Sequence, residues 1–206
     1  MMTERLDYKN AHFLTSASTL SQCPPDDALE VAFTGRSNAG KSSAINALTR
    51  QPKLARTSKT PGRTQLLNYF MLADKRYLVD LPGFGYAKVP PAMKEKWQKE
   101  LTHYLEQRRS LQGIILLMDI RHLFKDSDRM MIDWAVHASL PLHILLTKAD
   151  KLKGGAARNV LFAAQKELQA HAGLISVQLF SALKNEGIET LRTQLDQWLN
   201  IDDNSV

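Results

Sequence analysis

Gly35-Arg36-Ser37-Asn38-Ala39-Gly40-Lys41-Ser42 has the spacing G-x-x-x-x-G-K-S, a pattern suited to holding phosphate. Its glycines let the backbone turn tightly around an anion, so that successive N–H groups converge on phosphate oxygens. Lys41 supplies a positive charge for the outer phosphates, and the Ser42 hydroxyl is a hard oxygen donor for Mg2+. The plain alternative is a glycine-bearing turn before a helix. Context argues against it. Leu29–Thr34 reads as a short buried strand and Ser43–Leu48 as the opening of a helix, whose N-terminus favours the same negative charge.

Three more short motifs follow, each after an apolar run. Asp80-Leu81-Pro82-Gly83 sets a carboxylate where it can hold Mg2+ through water, and the Gly83 N–H where it can meet the γ-phosphate. Alone, it would be ordinary turn chemistry. In Thr147-Lys148-Ala149-Asp150, the Asp150 carboxylate can accept from the ring N–H and the exocyclic amine of guanine together. Adenine presents an acceptor in place of that ring donor, so a buried carboxylate discriminates against it. The Lys148 stem can pack along the base and the glycine loop, leaving its charge at the rim. Phe180-Ser181-Ala182 can offer a backbone N–H to the guanine oxygen. Four motifs in this order point to GTP or GDP as the ligand. One element is missing from the set: a threonine in 56–65 whose hydroxyl ligates Mg2+. Thr57, Thr60 and Thr64 are candidates, and spacing does not separate them.

Such residues act together only if strand ends meet. Strand-like runs at Leu29–Thr34, Leu66–Leu72, Arg76–Asp80, Gly113–Asp119, Leu142–Thr147 and Ile175–Phe180 alternate with helical stretches. These lie near 92–108, Asp126–Ser139, Ala156–His171 and Asn185–Asn200. The alternation predicts an α/β, three-layer, doubly wound sheet, mostly parallel with one antiparallel strand. A single domain is expected over 29–200, with 1–28 an extension packed on it and 201–206 a polar tail.

The chain has 206 residues, 27 basic and 21 acidic, for a formal charge of +6. Arg50, Lys53, Arg56, Lys59 and Arg63 carry five of those charges with no acid before Asp74. A solvated surface is the bland explanation; a one-sided cluster beside a nucleotide site also suits nucleic acid or another polyanion. The single cysteine, Cys23, excludes an internal disulfide framework and suits a reducing compartment. Apolar runs such as Ile114–Met118 and Ile144–Leu146 are too short to span a bilayer, and Met1–Asp7 lacks a signal-peptide core. The expectation is a cytoplasmic monomer with no stable membrane insertion.

The strings Lys59-Thr60-Pro61-Gly62-Arg63-Thr64-Gln65 and Asp80-Leu81-Pro82-Gly83-Phe84-Gly85-Tyr86-Ala87 are more diagnostic than the phosphate loop. Together with the other motifs, they resemble the Era/EngA/EngB group of GTPases, and within it the EngB family of ribosome-biogenesis GTP-binding proteins. The resemblance implies a phosphate-loop GTPase fold and makes Thr64 the switch threonine, paired with Ser42 on Mg2+. Gly62, Arg63, Gln65 and Leu66 flank it in the same site, and Lys41, Thr64 and Gly83 form the implied catalytic set. It further implies slow GTP hydrolysis coupled to assembly of the large ribosomal subunit, through ribosomal RNA or protein meeting Arg50–Arg63. Normal cell division and septation depend on that role in the family.

Phe84 stands where small signalling GTPases place a water-orienting glutamine, and it has no hydrogen-bonding group for the task. Asn38 resembles an asparagine that binds K+ in related GTPases; the alternative is that it caps the loop. Thr147 replaces the commoner asparagine, a shorter tie between loops, from which weaker nucleotide affinity is expected. His103, His122, His137, His143 and His171 lack metal-site spacing and read as surface or packing residues. Lys94, Lys96, Lys99, Arg108 and Arg109 alternate with acids and read as a solvated helix face. The rival functional reading is a GTP-dependent interaction protein at the division machinery, with hydrolysis incidental. A phosphate-loop kinase is disfavoured by Thr147–Asp150.

Overall fold

A computed structural model of the chain describes residues 6–55, 66–83, 99 and 101–199. Seven strands form one sheet: β1 (His12–Ala17), β2 (Leu29–Gly35), β3 (Leu67–Ala73), β4 (Arg76–Asp80), β5 (Leu111–Asp119), β6 (Leu142–Thr147) and β7 (Ile175–Leu179). Their order is β1-β3-β4-β2-β5-β6-β7. Only β3 runs against the rest, pairing antiparallel with β1 and β4, while β4, β2, β5, β6 and β7 pair in parallel. The helices are α1 (Lys41–Thr49), α2 (101–107), α3 (Asp126–His137), α4 (Gly154–Glu167) and α5 (Ile188–Leu199).

Successive side chains in a strand point to opposite faces, and the core divides accordingly. Ala32, Ile114, Leu116 and Met118 pack against Tyr104 and Leu105 of α2, Met131 and Ile132 of α3, and Ala157 and Ala164 of α4. Val31, Phe33, Ile115 and Leu117 face the other way, onto Ile45 and Leu48 of α1 and Leu191 and Leu195 of α5. The predicted three-layer architecture follows from this sorting. Among the described residues, no helix is long and apolar enough to cross a membrane.

Two features differ from the sequence-based expectation. The sheet begins at His12, not at Leu29. β1 is an edge strand with Phe13 and Leu14 exposed, and its register slips between Phe13 and Thr15. That bulge breaks the alternation by which a strand is recognised. The residues before it are anchored as well. The buried Tyr8 hydroxyl donates to Asp196 Oδ1 at 2.8 Å, and Gln51 Nε2 donates to the Lys9 and Ala11 carbonyls at 2.9 and 2.6 Å.

The second correction concerns Arg108, which is buried rather than solvated. Its side chain is 4% exposed and that of Glu30 is 0% exposed. Arg108 donates from Nε to Glu30 Oε1 at 2.9 Å, from Nη2 to Glu30 Oε2 at 3.1 Å and to the Pro24 carbonyl at 2.8 Å. Tyr104 donates its hydroxyl to the same carboxylate at 2.8 Å, and the guanidinium lies 5.9 Å from the Tyr69 ring centre. The cluster joins the start of β2, the end of α2 and the segment before β2. Charges taken out of water at this depth persist only when paired. Arg108→Met is therefore expected to cost about 3–5 kcal/mol in urea unfolding, because it strands the Glu30 carboxylate. Adding Glu30→Gln, which removes the charge but keeps an acceptor for Tyr104, is expected to restore part of that loss.

Candidate nucleotide site

In-register parallel pairing carries the motif-bearing strand ends to one edge of the sheet. Phe33 pairs with Asp80, Gly35 with Leu117, and Asp119 with Thr147. Because β3 is antiparallel, it enters the sheet at that same edge, with Asn68 opposite Asp80. The half-buried Leu66 thus stands beside the end of β4. Leu81 extends β4 by donating its N–H to the Phe33 carbonyl at 3.0 Å. Leu81 and Pro82 are buried and Gly83 is half-buried. Gly62, Arg63, Thr64 and Gln65 lie outside the described residues, as do Thr57, Thr60 and Phe84.

Between β2 and α1 the chain turns through Arg36, Ser37, Asn38, Ala39 and Gly40, with Ala39 N–H donating to the Arg36 carbonyl at 3.0 Å. Gly40 has φ +97°, a left-handed conformation that strains residues with a Cβ. Asn38 has φ +65°, which asparagine tolerates better than most residues. This gives Asn38 a backbone reason to be there, independent of any ion. No side chain caps the start of α1, so backbone alone forms the positive end of its dipole. The Lys41 ammonium pairs with the Asp80 carboxylate, both side chains being less than 15% exposed (14% and 11%). Ser42, half-buried, follows directly.

The next loop locks onto the first. The buried Thr147 hydroxyl lies 2.6 Å from the Ala39 carbonyl and 3.0 Å from the Met118 carbonyl. Threonine therefore does reach the phosphate loop, but it carries one proton where an asparagine amide carries two. The Lys148 side chain is 33% exposed. It donates to the Asn38 carbonyl at 2.8 Å and pairs with Asp119 Oδ2 at 2.9 Å. Arg121 also grips Asp119, at 2.9 and 2.7 Å. Arg121 foremost, and Lys148 with it, hold the Asp119 carboxyl well below the usual carboxylate range. Sequence reasoning missed Asp119, although its place as the first acid after the apolar run Ile114–Met118 marks a strand end.

At the other end of the site, Ser181 donates its hydroxyl to Asp150 Oδ1 at 2.5 Å, and this bond is the main reason the Asp150 carboxyl is held below its ordinary value. The Ser181 N–H is engaged by the Glu186 carbonyl at 3.1 Å. Of the three N–H groups of Phe180-Ser181-Ala182, that of Ala182 has no acceptor among the described residues. Phe180 donates to the Leu146 carbonyl and accepts from the Ala149 N–H, at 3.0 and 3.1 Å, which joins the loops after β6 and β7. None of the described His, Cys, Asp or Glu residues form a group of three able to hold a metal ion.

A glycine loop between strand and helix, an aspartate ending the adjacent strand, and two further loops locked beside it define an α/β phosphate-loop nucleotide-binding domain. The model of the family described as "50S ribosome-binding GTPase" matches residues 30–148. Curated relatives named "Probable GTP-binding protein EngB" align over almost the whole chain. The Idiomarina loihiensis protein is 56% identical, covering 96% of each chain. That of Nitrosococcus oceani is 58% identical, covering 94% of this chain and 97% of the relative. The Escherichia coli O157:H7 protein is 55% identical, covering 95% and 93%. This chain belongs to the EngB family of GTP-binding proteins. Solved structures share the fold. A crystal structure of a probable GTP-binding protein engB superposes with a TM-score of 0.67 at 22% identity, covering 82% of this chain and 98% of that one. Era in complex with MgGDPNP and nucleotides of 16S ribosomal RNA gives 0.64 at 20% identity, covering 84% of this chain and 57% of that one.

Thr147→Val keeps the shape of the side chain and removes the proton that satisfies a buried carbonyl. It is expected to lower unfolding stability by about 1–3 kcal/mol in a denaturant titration.

Proposed function

We propose that this protein hydrolyses GTP slowly and uses its nucleotide state to control association with the large ribosomal subunit during assembly, a role on which normal cell division and septation depend. The observation that carries this reading is the meeting of the Lys41–Asp80 pair and the Asp150–Ser181 pair along one sheet edge, in a chain of this family. Residues Gly35–Ser42 cradle the phosphates through backbone N–H groups, and Lys41 neutralises their outer oxygens. Asp150 accepts from the two guanine donors, and the Ala182 N–H donates to the guanine oxygen.

The hydroxyl of Ser42 and the carboxylate of Asp80 are hard oxygen donors of the kind Mg2+ takes, so the residues at this edge fit that ion. Ser42 and Thr64 would hold it directly and Asp80 through water. When bound, Mg2+ offsets phosphate charge. Hydrolysis breaks the bond between the γ-phosphorus and its bridging oxygen as water attacks in line. Phe84 contributes no hydrogen bond to that water, so intrinsic turnover is slow and a partner, or K+ near Asn38, completes the site. In the cytoplasm, Arg50 and Lys53, exposed at the end of α1, begin the positive surface that meets ribosomal RNA or protein. The family model's description names 50S binding, and the Era complex contains ribosomal RNA.

Asp150→Asn is expected to move preference from GTP to xanthosine triphosphate, since the amide can donate to the extra base oxygen; unchanged preference would sink the base assignment. Turnover should be slow in isolation and rise with large-subunit precursors, and faster turnover in potassium than in sodium buffer would support the Asn38 role. Precursors that neither bind the form loaded with a non-hydrolysable GTP analogue nor alter turnover would defeat the ribosomal reading.

A further inference from the structure

Behind the base-end loops, a line of hydrogen bonds runs through side chains that no motif includes. Gln178 of β7 donates from Nε2 to the Leu179 carbonyl at 3.1 Å and to the Gly187 carbonyl at 2.7 Å. Both acceptors are carbonyls, so the amide orientation is fixed and Oε1 must face the other way. There it meets His143 Nε2 at 2.8 Å. Since Oε1 only accepts, that nitrogen carries the proton. Burial drives the His143 pKa down and keeps the ring neutral, which leaves Nδ1 as an acceptor for the Ser176 hydroxyl at 2.6 Å. Ser176, His143, Gln178 and the Gly187 carbonyl thus form one directed chain with every member satisfied.

The Gly187 carbonyl also accepts from the Leu191 N–H at 3.1 Å, so Gln178 fixes the point where the loop enters α5. Gly187 has φ +79°, and a Cβ there would lie 2.5 Å from the Gln178 amide nitrogen and 2.3 Å from the Leu179 carbonyl oxygen. Only glycine leaves room for the amide beneath the loop. One residue earlier, Glu186 exchanges two backbone hydrogen bonds with Ser181, at 3.1 and 3.0 Å, and the Lys184 N–H donates to Ser181 Oγ at 3.2 Å. Ser181 in turn holds Asp150. The carboxylate read as the base contact is therefore positioned through Ser181, a closed loop, Gly187, Gln178 and His143.

We propose that Gln178, oriented by His143, is a positioning residue for base recognition, setting how strongly this protein distinguishes guanine from a purine lacking the exocyclic amine. The proposal rests on Asp150 as the base contact. Guanine makes two hydrogen bonds with a well-placed carboxylate, whereas hypoxanthine makes one. Loosening the loop therefore costs guanine more.

The test compares dissociation constants for GDP and inosine diphosphate in the full-length protein, by calorimetric titration with Mg2+ present. Gln178→Met keeps length and volume but removes both donors, and the GDP-over-inosine preference should fall by about fivefold, the scale of one hydrogen bond. His143→Leu, which removes the hydrogen bond to the amide oxygen, should shift the ratio in the same direction with Gln178 intact; it also serves if Gln178→Met does not fold. A lower melting temperature with an unchanged ratio in the folded variants would overturn the proposal. Asp150→Asn in the same series separates the failures. If it leaves guanine preference intact, the base assignment and this proposal both fall. If it shifts preference while the Gln178 and His143 ratios stay put, only this proposal falls.

Discussion

The Thr147 hydroxyl, buried between the carbonyls of Ala39 and Met118, is the contact that makes one site out of three loops. A glycine-bearing turn has little stiffness of its own, because the freedom that lets it wrap a phosphate also lets it leave that conformation. Its shape is imposed from outside. Thr147 fixes one loop carbonyl and Lys148 fixes another, and both come from the strand end two places away in the sheet. The register of β2, β5 and β6 must hold to within one residue for these bonds to exist, since a slip would turn the Thr147 side chain to the opposite face.

The charge pattern follows a similar logic. Arg108 with Glu30 at one end of β2 neutralises charge where the protein is packed, and Lys148 and Arg121 with Asp119 do so at the more open end of β5. Lys41 and Asp80 do the same at the start of α1. Pairing of this kind consumes acids as well as bases. The excess of six positive charges is therefore left largely to the run Arg50–Arg63, which contains no acid. A uniformly basic protein would bind polyanions weakly over its whole surface; one that concentrates its surplus in a single stretch of chain can bind them there.

The sequence made the phosphate loop, the aspartate ending β4 and the Thr147–Asp150 loop legible, because each lies at the end of a strong apolar strand and depends on local spacing. It left illegible what depends on contacts distant in the chain. β1 was hidden because an exposed, bulged edge strand has no alternation to read. Arg108 sits among lysines and glutamates at helical spacing, and only the fold shows that Glu30, 78 residues away, turns it inward. Ser176, His143 and Gln178 resemble unremarkable polar residues in two strands. Their significance arises from parallel pairing, which sets His143 opposite Ser176. Which N–H of Phe180-Ser181-Ala182 stays available was hidden for a related reason: the bridge that engages Ser181 with Glu186 is a turn feature, invisible in those three residues alone.

The two ends of the site are held by different forces, and the difference suits a ligand that changes at only one of them. GTP and GDP share a base and differ by a phosphate. At the base end, hydrogen bonds with fixed donors and acceptors run from neutral side chains to the Asp150 carboxylate, and such a chain has a single satisfied arrangement. At the phosphate end, Lys41 and Asp80 are an ammonium and a carboxylate paired with each other. An ion pair of this kind has alternatives of comparable energy, since the lysine can trade a carboxylate for phosphate and the carboxylate can trade an ammonium for a hydrated cation. On the proposed reading, a rigid base end supplies affinity common to both nucleotides. On the same reading, the exchangeable pair responds to the one group that hydrolysis removes.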